Sequence, residues 1–100
     1  MGEIKPCNIL LLMGRYKWSV QEDVLLKLLK DMRQEAGLSG PVIQKMLNRP
    51  NSYVAKVESG EKRLDILELR ELCCVCGVTL YDFSQRLDHK LKRLMDIDSK

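Results

Sequence analysis

The stretch from residue 37 to residue 60, GLSGPVIQKMLNRPNSYVAKVESG, most constrains what this chain of 100 residues can fold into. It holds two short apolar-patterned segments, residues 42–47 and 52–57, on either side of the break Asn48-Arg49-Pro50-Asn51. Neither segment is long enough to be a stable helix alone, because isolated helices need about 12–15 residues. The pattern therefore predicts two short helices that stabilise each other across a tight turn.

The two segments can share one buried seam. Asn48 tolerates the left-handed backbone that a sharp turn between helices needs. Pro50 stops the first helix and fits the opening turn of the next. A helix-turn-helix of this kind is a common way to present one short helix to the major groove of DNA. The seam is predicted to consist of Ile43, Leu47, Val54 and Val57.

The second motif helix is predicted to begin at Pro50 or Asn51 and to expose Asn51, Ser52, Tyr53 and Lys56. These residue types contact base edges: Asn pairs with adenine, Lys donates to guanine and Ser is adaptable. Tyr53 would meet a thymine methyl group or a phosphate. Two alternatives stay open, since Asn51 can instead cap the helix and Tyr53 can be a half-buried packing residue.

The same stretch resembles the helix-turn-helix of the Cro/phage-repressor type, the XRE family. The correspondence runs without a gap over residues 33–83, and the run RPNSYVAKVESGEKRLD carries most of it. The resemblance implies an all-α, five-helix, lambda-repressor-like fold. It also implies a DNA-binding transcriptional regulator, specifically a repressor that binds an inverted-repeat operator in double-stranded DNA as a homodimer.

The resemblance places Lys62 and Arg63 where the family meets the DNA backbone. Residues 45–63 hold five cationic side chains against Glu58 and Glu61, a net charge of +3 that equals the charge of the whole chain. A phosphate backbone would be met here, although an unevenly charged surface is the simpler reading of charge alone. Glu58 is expected to pair with a neighbouring cation. The predicted phosphate contacts are Ser39, Arg49, Ser59, Lys62 and Arg63.

Three positions depart from the family pattern. The family usually has Gln where Gly40 stands, Ala where Gln44 stands, and often Gly where Asn48 stands. Gly40 removes one expected phosphate contact, and Gln44 changes the position at which the two helices cross. These departures motivate an alternative function, an antitoxin or other protein-interaction module on the same fold with a co-encoded protein as its partner.

Outside the motif, residues 1–18 form a leader or arm, and residues 19–97 form the DNA-binding domain, with its motif at 39–59. The leader contains the longest apolar run, Ile-Leu-Leu-Leu-Met at residues 9–13. This run is too short to span a membrane, and no membrane association is expected. It can form a short strand, a packing arm or a disordered lead.

Three capping boxes predict helix starts, at Ser19 with Glu22, Asp65 with Glu68 and Thr79 with Asp82. The last helix, residues 80–97, is longer than a compact five-helix core can cover. We therefore expect its far half to form a dimer. The dimerisation residues are predicted to be Leu87, Leu91 and Leu94.

The four cysteines are expected to be reduced thiols of a cytoplasmic protein, because three of them crowd into residues 73–76. Cys73 and Cys76 would share the buried face of the fourth helix, and Cys74 would point elsewhere. One histidine and this cysteine spacing supply too few ligands for a closed zinc site. We expect no metal, no cofactor and no enzymatic activity, since no nucleophile-and-base arrangement or glycine-rich phosphate loop is present.

Overall fold

The computed structural model describes the backbone of residues 18–99 and the side chains of residues 20–94. The predicted leader lies almost wholly outside these residues. Within residues 18–99 there are five helices and no strand, so the prediction of an all-α, five-helix fold is confirmed. No helix in that range is long and apolar enough to cross a membrane. The helices are α1 (Trp18–Glu35), α2 (Gly40–Met46), α3 (Tyr53–Glu58), α4 (Ile66–Val75) and α5 (Leu80–Ser99).

One apolar core holds the five helices together. The predicted seam of the helix-turn-helix lies in it: Ile43, Val54 and Val57 are buried, and Leu47 packs against them. α1 contributes Leu28, Leu29 and Met32 from one face, as its helical spacing predicts. The most deeply buried side chains are Ile43, Cys73 and Phe83.

The turn between α2 and α3 uses two left-handed residues that are not glycine. Asn48 has a φ of 53°, as predicted, and Ser52 has a φ of 68°. Because a left-handed residue cannot belong to a right-handed helix, α3 begins only at Tyr53. The prediction that the second motif helix starts at Pro50 or Asn51 is therefore wrong, and both residues belong to the turn.

The helix starts are only partly as predicted. Asp65 and Glu68 form a complete capping box at α4. At α5, the hydroxyl of Thr79 accepts a hydrogen bond from the backbone N–H of Asp82. The prediction that Ser19 caps the first helix is wrong, because α1 already includes Trp18 and Ser19.

The cysteines at the end of α4 lie where the helical spacing puts them. Cys73 is fully buried and Cys76 is half-buried, whereas Cys74 is exposed. Burial raises the pKa of the Cys73 thiol to about 11 and also raises the pKa of Cys76. Cys73 is therefore a neutral packing residue at physiological pH.

A half-buried ion pair joins the end of α1 to the end of α3. Arg33 donates from Nε to Oε2 of Glu58 at 2.6 Å and from Nη2 to Oε1 at 3.0 Å. Its Nη1 also donates to the carbonyl of Leu38 at 3.0 Å, in the loop before α2. Hydrogen bonding to Glu58 raises the pKa of Arg33. The prediction that Glu58 pairs with a cation is confirmed, and Arg33 is committed to structure.

Replacing Glu58 with Ala should lower the free energy of unfolding by about 1–3 kcal/mol, because it leaves a half-buried guanidinium without its acceptors. Asp31→Ala is the matched control, since Asp31 pairs with the exposed Lys27 at 3.3 Å on α1. That exposed pair should contribute no more than about 0.5 kcal/mol. Urea unfolding measures both variants. Equal losses for Glu58→Ala and Asp31→Ala would contradict a structural role for the Arg33–Glu58 pair.

Candidate nucleic-acid interface

The outer face of α3 is polar and faces away from the core. Ser52, Ala55, Lys56 and Ser59 are exposed, whereas Val54 and Val57 are buried. The exposed positions recur one, three and four residues apart, which places them on one side of a helix. Asn51 is also exposed, in the turn just before this face. The prediction that Asn51, Ser52 and Lys56 face outward is confirmed; their contact with bases stays a prediction.

Tyr53 does not face outward, and that prediction is wrong. Its side chain is only 5% exposed. The reason is helical geometry, because Tyr53 stands one residue before Val54 and four before Val57 and so lies on the same inner stripe. The open alternative of a packing residue is the one that the structure adopts. Its buried hydroxyl cannot reach a base edge.

The ring of Tyr53 instead lies beneath two cations from opposite ends of α3. The Cζ atom of Arg49, in the preceding turn, is 5.4 Å from the ring centroid, and Nζ of Lys62, in the following loop, is 6.0 Å away. Both distances suit a cation–π interaction. The Tyr53 hydroxyl has no hydrogen-bond partner among the described residues. Burial, and then the charge of Glu68, raise the pKa of that hydroxyl.

Carboxylates from other helices hold three of the predicted phosphate-binding cations. Arg49 Nη2 lies 2.8 Å from Glu71 Oε1, and Lys62 Nζ lies 3.3 Å from Glu68 Oε2; both carboxylates are on α4. Arg63 Nη2 lies 4.0 Å from Glu22 Oε2 on α1. Hydrogen bonding to Glu71 raises the pKa of Arg49. The backbone N–H of Asp65, and then Lys62, lower the pKa of Glu68.

Two lysines of the motif have no such partner. Within the side chains of residues 20–94, neither Lys45 on α2 nor Lys56 on α3 has a carboxylate within salt-bridge distance. Both side chains are exposed. Lys56 therefore presents its charge directly from the outer face of α3, whereas Arg49 and Lys62 would have to exchange a carboxylate for a phosphate.

Gln44 anchors the start of α3. Its Oε1 accepts a hydrogen bond of 3.1 Å from the backbone N–H of Val54, and the side chain is buried. Ser52, the residue before α3, makes no side-chain cap, because its hydroxyl donates to the carbonyl of Asn51. The amide of Gln44 thus satisfies an N–H group that would otherwise be unpaired at the helix start.

Gly40 lies beside this hydrogen bond. A Cβ atom at position 40 would lie 3.4 Å from Cβ of Val54 and 3.9 Å from Oε1 of Gln44. The two departures from the family pattern therefore lie side by side, with the small residue at 40 next to the long one at 44. The sequence signals each departure separately, but only the structure shows the pair.

Ser39 and Ser59 lie at helix ends. Ser39 caps α2, where its hydroxyl accepts a hydrogen bond from Val42 N–H at 3.4 Å. The Ser59 hydroxyl donates to the carbonyl of Lys56 at 3.1 Å. Both residues are exposed, on either side of the motif. Among the described residues no group of three or more His, Cys, Asp or Glu side chains could hold a metal ion.

Replacing Tyr53 with Phe should leave stability unchanged or slightly higher, because it removes a buried, unpaired hydroxyl and keeps the ring. Tyr53→Leu should lower the free energy of unfolding by about 1–3 kcal/mol, because the ring packing and both cation–π contacts are lost. Urea unfolding and duplex-DNA affinity should be measured for both variants. A loss of affinity in Tyr53→Phe as large as in Tyr53→Leu would show that the hydroxyl contacts DNA.

The comparison with known protein families gives one match. The model of a family described as helix-turn-helix matches residues 29–83, more than half of the chain. The matched segment runs from the middle of α1 to the buried Phe83 on α5 and includes the whole of α2, α3 and α4. No curated protein and no solved structure matches the chain significantly. The chain therefore belongs to the helix-turn-helix family of Cro/phage-repressor type, whose members are DNA-binding regulators.

Proposed function

We propose that this protein is a sequence-specific transcriptional regulator, acting as a repressor, that binds an inverted-repeat operator as a homodimer. The observation that carries the proposal is the exposed outer face of α3, where Ser52 and Lys56 stand clear of the core. A helix that projects polar side chains beyond a buried seam fits the major groove. The cytoplasm, where we expect the chain to be, gives it access to DNA.

The proposed DNA contacts fall into two classes, one that supplies sequence specificity and one that supplies affinity. Lys56 on α3, with Asn51 and Ser52 in the turn before it, would contact base edges and supply sequence preference. The residues at the motif's edges would contact phosphates, which orient the protein without selecting sequence. These phosphate contacts would be Ser39, Arg49, Ser59, Lys62 and Arg63.

The cations that flank α3 support this division. Arg49 and Lys62 are fixed above the ring of Tyr53, so their charges are held at the two ends of the recognition helix. A phosphate that replaces Glu71 or Glu68 would keep the same cation close to the same ring. The exchange should cost less than ordering a free lysine or arginine, because the side chain is already oriented.

A homodimer would place two copies of α3 about 34 Å apart, one turn of the DNA duplex. We place the dimer contact on the second half of α5. Leu87 and Leu91 are half-buried and line a groove beside α1, so part of the predicted dimerisation stripe already packs within the chain. A partner would contact the helix mainly beyond Leu91, where Leu94 lies and from which α5 runs on to Ser99.

A second candidate function, a protein-interaction module such as an antitoxin with a co-encoded partner, rests on a different surface. Ile66 and Leu67, adjacent in the first turn of α4, are 62% and 69% exposed. Two neighbouring exposed aliphatic side chains can form a contact with a partner protein. The Gln44 departure no longer favours this alternative, because the Gln44 amide anchors α3.

Selection of bound fragments from a pool of random duplexes tests the proposal. The protein should enrich an inverted repeat, and Lys56→Ala should lose about 1–3 kcal/mol of affinity for the enriched site, with relaxed preference at one or two base pairs per half-site. Lys62→Ala should instead weaken all duplexes alike and reduce the slope of log affinity against log salt by about one. Lys30→Ala, an exposed lysine on α1, is the matched control.

Two outcomes would contradict the proposal. If no sequence is enriched, the chain is not a sequence-specific regulator, and the interaction module on Ile66 and Leu67 becomes the better account. If Lys56→Ala weakens enriched and scrambled duplexes equally, Lys56 is a phosphate contact and the division of roles is wrong. Enrichment of a single half-site without its repeat would argue against a homodimer.

A further inference from the structure

A leucine-lined groove of about 280 Å³ lies on the side of the domain where α1 begins. Its walls come from α1, from the loop between α3 and α4, and from α4 and α5. Glu22 and Arg63 stand at its edge and face each other at 4.0 Å. The apolar residues that form most of the wall are Leu25, Leu26, Leu64, Leu69, Leu87 and Leu91.

These leucines are half-buried, although they adjoin the fully buried core. The fully buried apolar side chains of the core are 6% exposed or less, down to 0% at Cys73, whereas the groove leucines keep an intermediate exposure. A continuous apolar surface left at the edge of such a core is typical of a site that another segment or molecule covers.

We propose that the apolar run of residues 9–13, Ile-Leu-Leu-Leu-Met, packs into this groove from the same chain. The run is close enough, because only residues 14–17 separate it from Trp18, where α1 begins in the described structure. Five steps of extended chain span at most about 17 Å. Gln21 and Leu25, which line the groove, lie only about 5 and 10 Å along α1 from Trp18.

The sequence of the connecting stretch fits this path. Gly14 follows the apolar run directly and permits the backbone to reverse direction. Arg15 and Lys17 in this stretch are cationic, and Glu22 and Asp23 in the first turns of α1 are anionic. The run itself has five apolar side chains and no charge, which matches a groove whose apolar wall is mostly leucine. The sequence leaves three possibilities open for the leader: a short strand, a packing arm or a disordered lead. The proposed packing corresponds to the packing arm.

Tethering favours this occupant over a second copy of the protein. A segment joined by a short link has an effective concentration in about the millimolar range at its site. A second copy at micromolar concentration would have to bind about a thousandfold more tightly to displace it. The dimer contact proposed beyond Leu91 is compatible with a filled groove, since it uses later turns of α5.

The docked segment would also support the loop that follows the recognition helix. Leu64 belongs to this loop and forms part of the groove wall, next to Lys62 and Arg63. Covering Leu64 would hold the loop against α1. The inference does not depend on the loop's contact with DNA, because it concerns packing within the chain.

Methyl NMR on the full chain tests the inference. The Ile9 δ1 and Met13 ε methyl groups should give NOEs to methyl groups of Leu25, Leu26 or Leu91. In a sample mixed from labelled and unlabelled chains, filtered NOEs of this kind should be absent, because the contact lies within one chain. Their presence would assign the groove to a second copy, and the complete lack of NOEs in the wild type would overturn the inference.

A substitution gives an independent readout. Leu11→Asp should remove the NOEs and lower the melting temperature by roughly 5 °C or more, as loss of about 1 kcal/mol does in a domain of this size. Asn8→Asp is the matched control, since it adds the same charge just outside the apolar run. Equal melting temperatures for Leu11→Asp, Asn8→Asp and the wild type would contradict the packing of residues 9–13.

Discussion

A recognition helix of six residues cannot hold itself together, and the structure depends on this constraint. Isolated helices of this length are not stable in water. α3 therefore takes its position from its surroundings at three places. Val54 and Val57 bury its inner face in the core. Gln44 accepts a hydrogen bond from its first turn, and Arg33 donates to Glu58, the last residue of α3. The outer face of α3 takes no part in these three anchoring contacts.

The same arrangement explains how the charges around α3 are organised. Arg49 and Lys62 lie over the ring of the buried Tyr53, and each is also paired with a carboxylate of α4. Each cation is thus oriented before any ligand arrives. A negatively charged ligand must compete with Glu71 and Glu68, so binding should depend both on salt and on the loss of these pairs. Lys56 needs no such exchange.

The helices and the core could be predicted from the sequence, because they follow from local periodicity and caps. Ile43, Val54, Val57 and the capping box at Asp65 are examples. The start of α3 could not be predicted, because serine rarely adopts the left-handed conformation that Ser52 has here. Since α3 starts at Tyr53, Asn51 and Ser52 both lie in the turn. The burial of Tyr53 was signalled by its place on the Val54–Val57 stripe, but its chemistry favoured exposure.

Contacts between residues that are far apart in the chain also could not be predicted from the sequence. The partner of Arg49 is 22 residues away and that of Arg33 is 25 residues away. Charge counting within residues 45–63 could not find the carboxylates of α4, because they lie outside that window. The hydrogen bond from Val54 to Gln44 likewise needs the helix crossing to be known. Each of these contacts determines the partner of a residue in or beside the candidate site, but none of them changes the fold.

Mapping of the DNA contact surface on the protein tests the central claim most directly. Backbone amide shifts of the full chain should be followed by NMR while a duplex enriched by the protein is added. We predict that the largest changes fall on Ser52, Ala55, Lys56 and Ser59, with smaller ones at Lys62 and Arg63, and none on the outer face of α5. Changes centred on Ile66 and Leu67, with the outer face of α3 unaffected, would contradict the account.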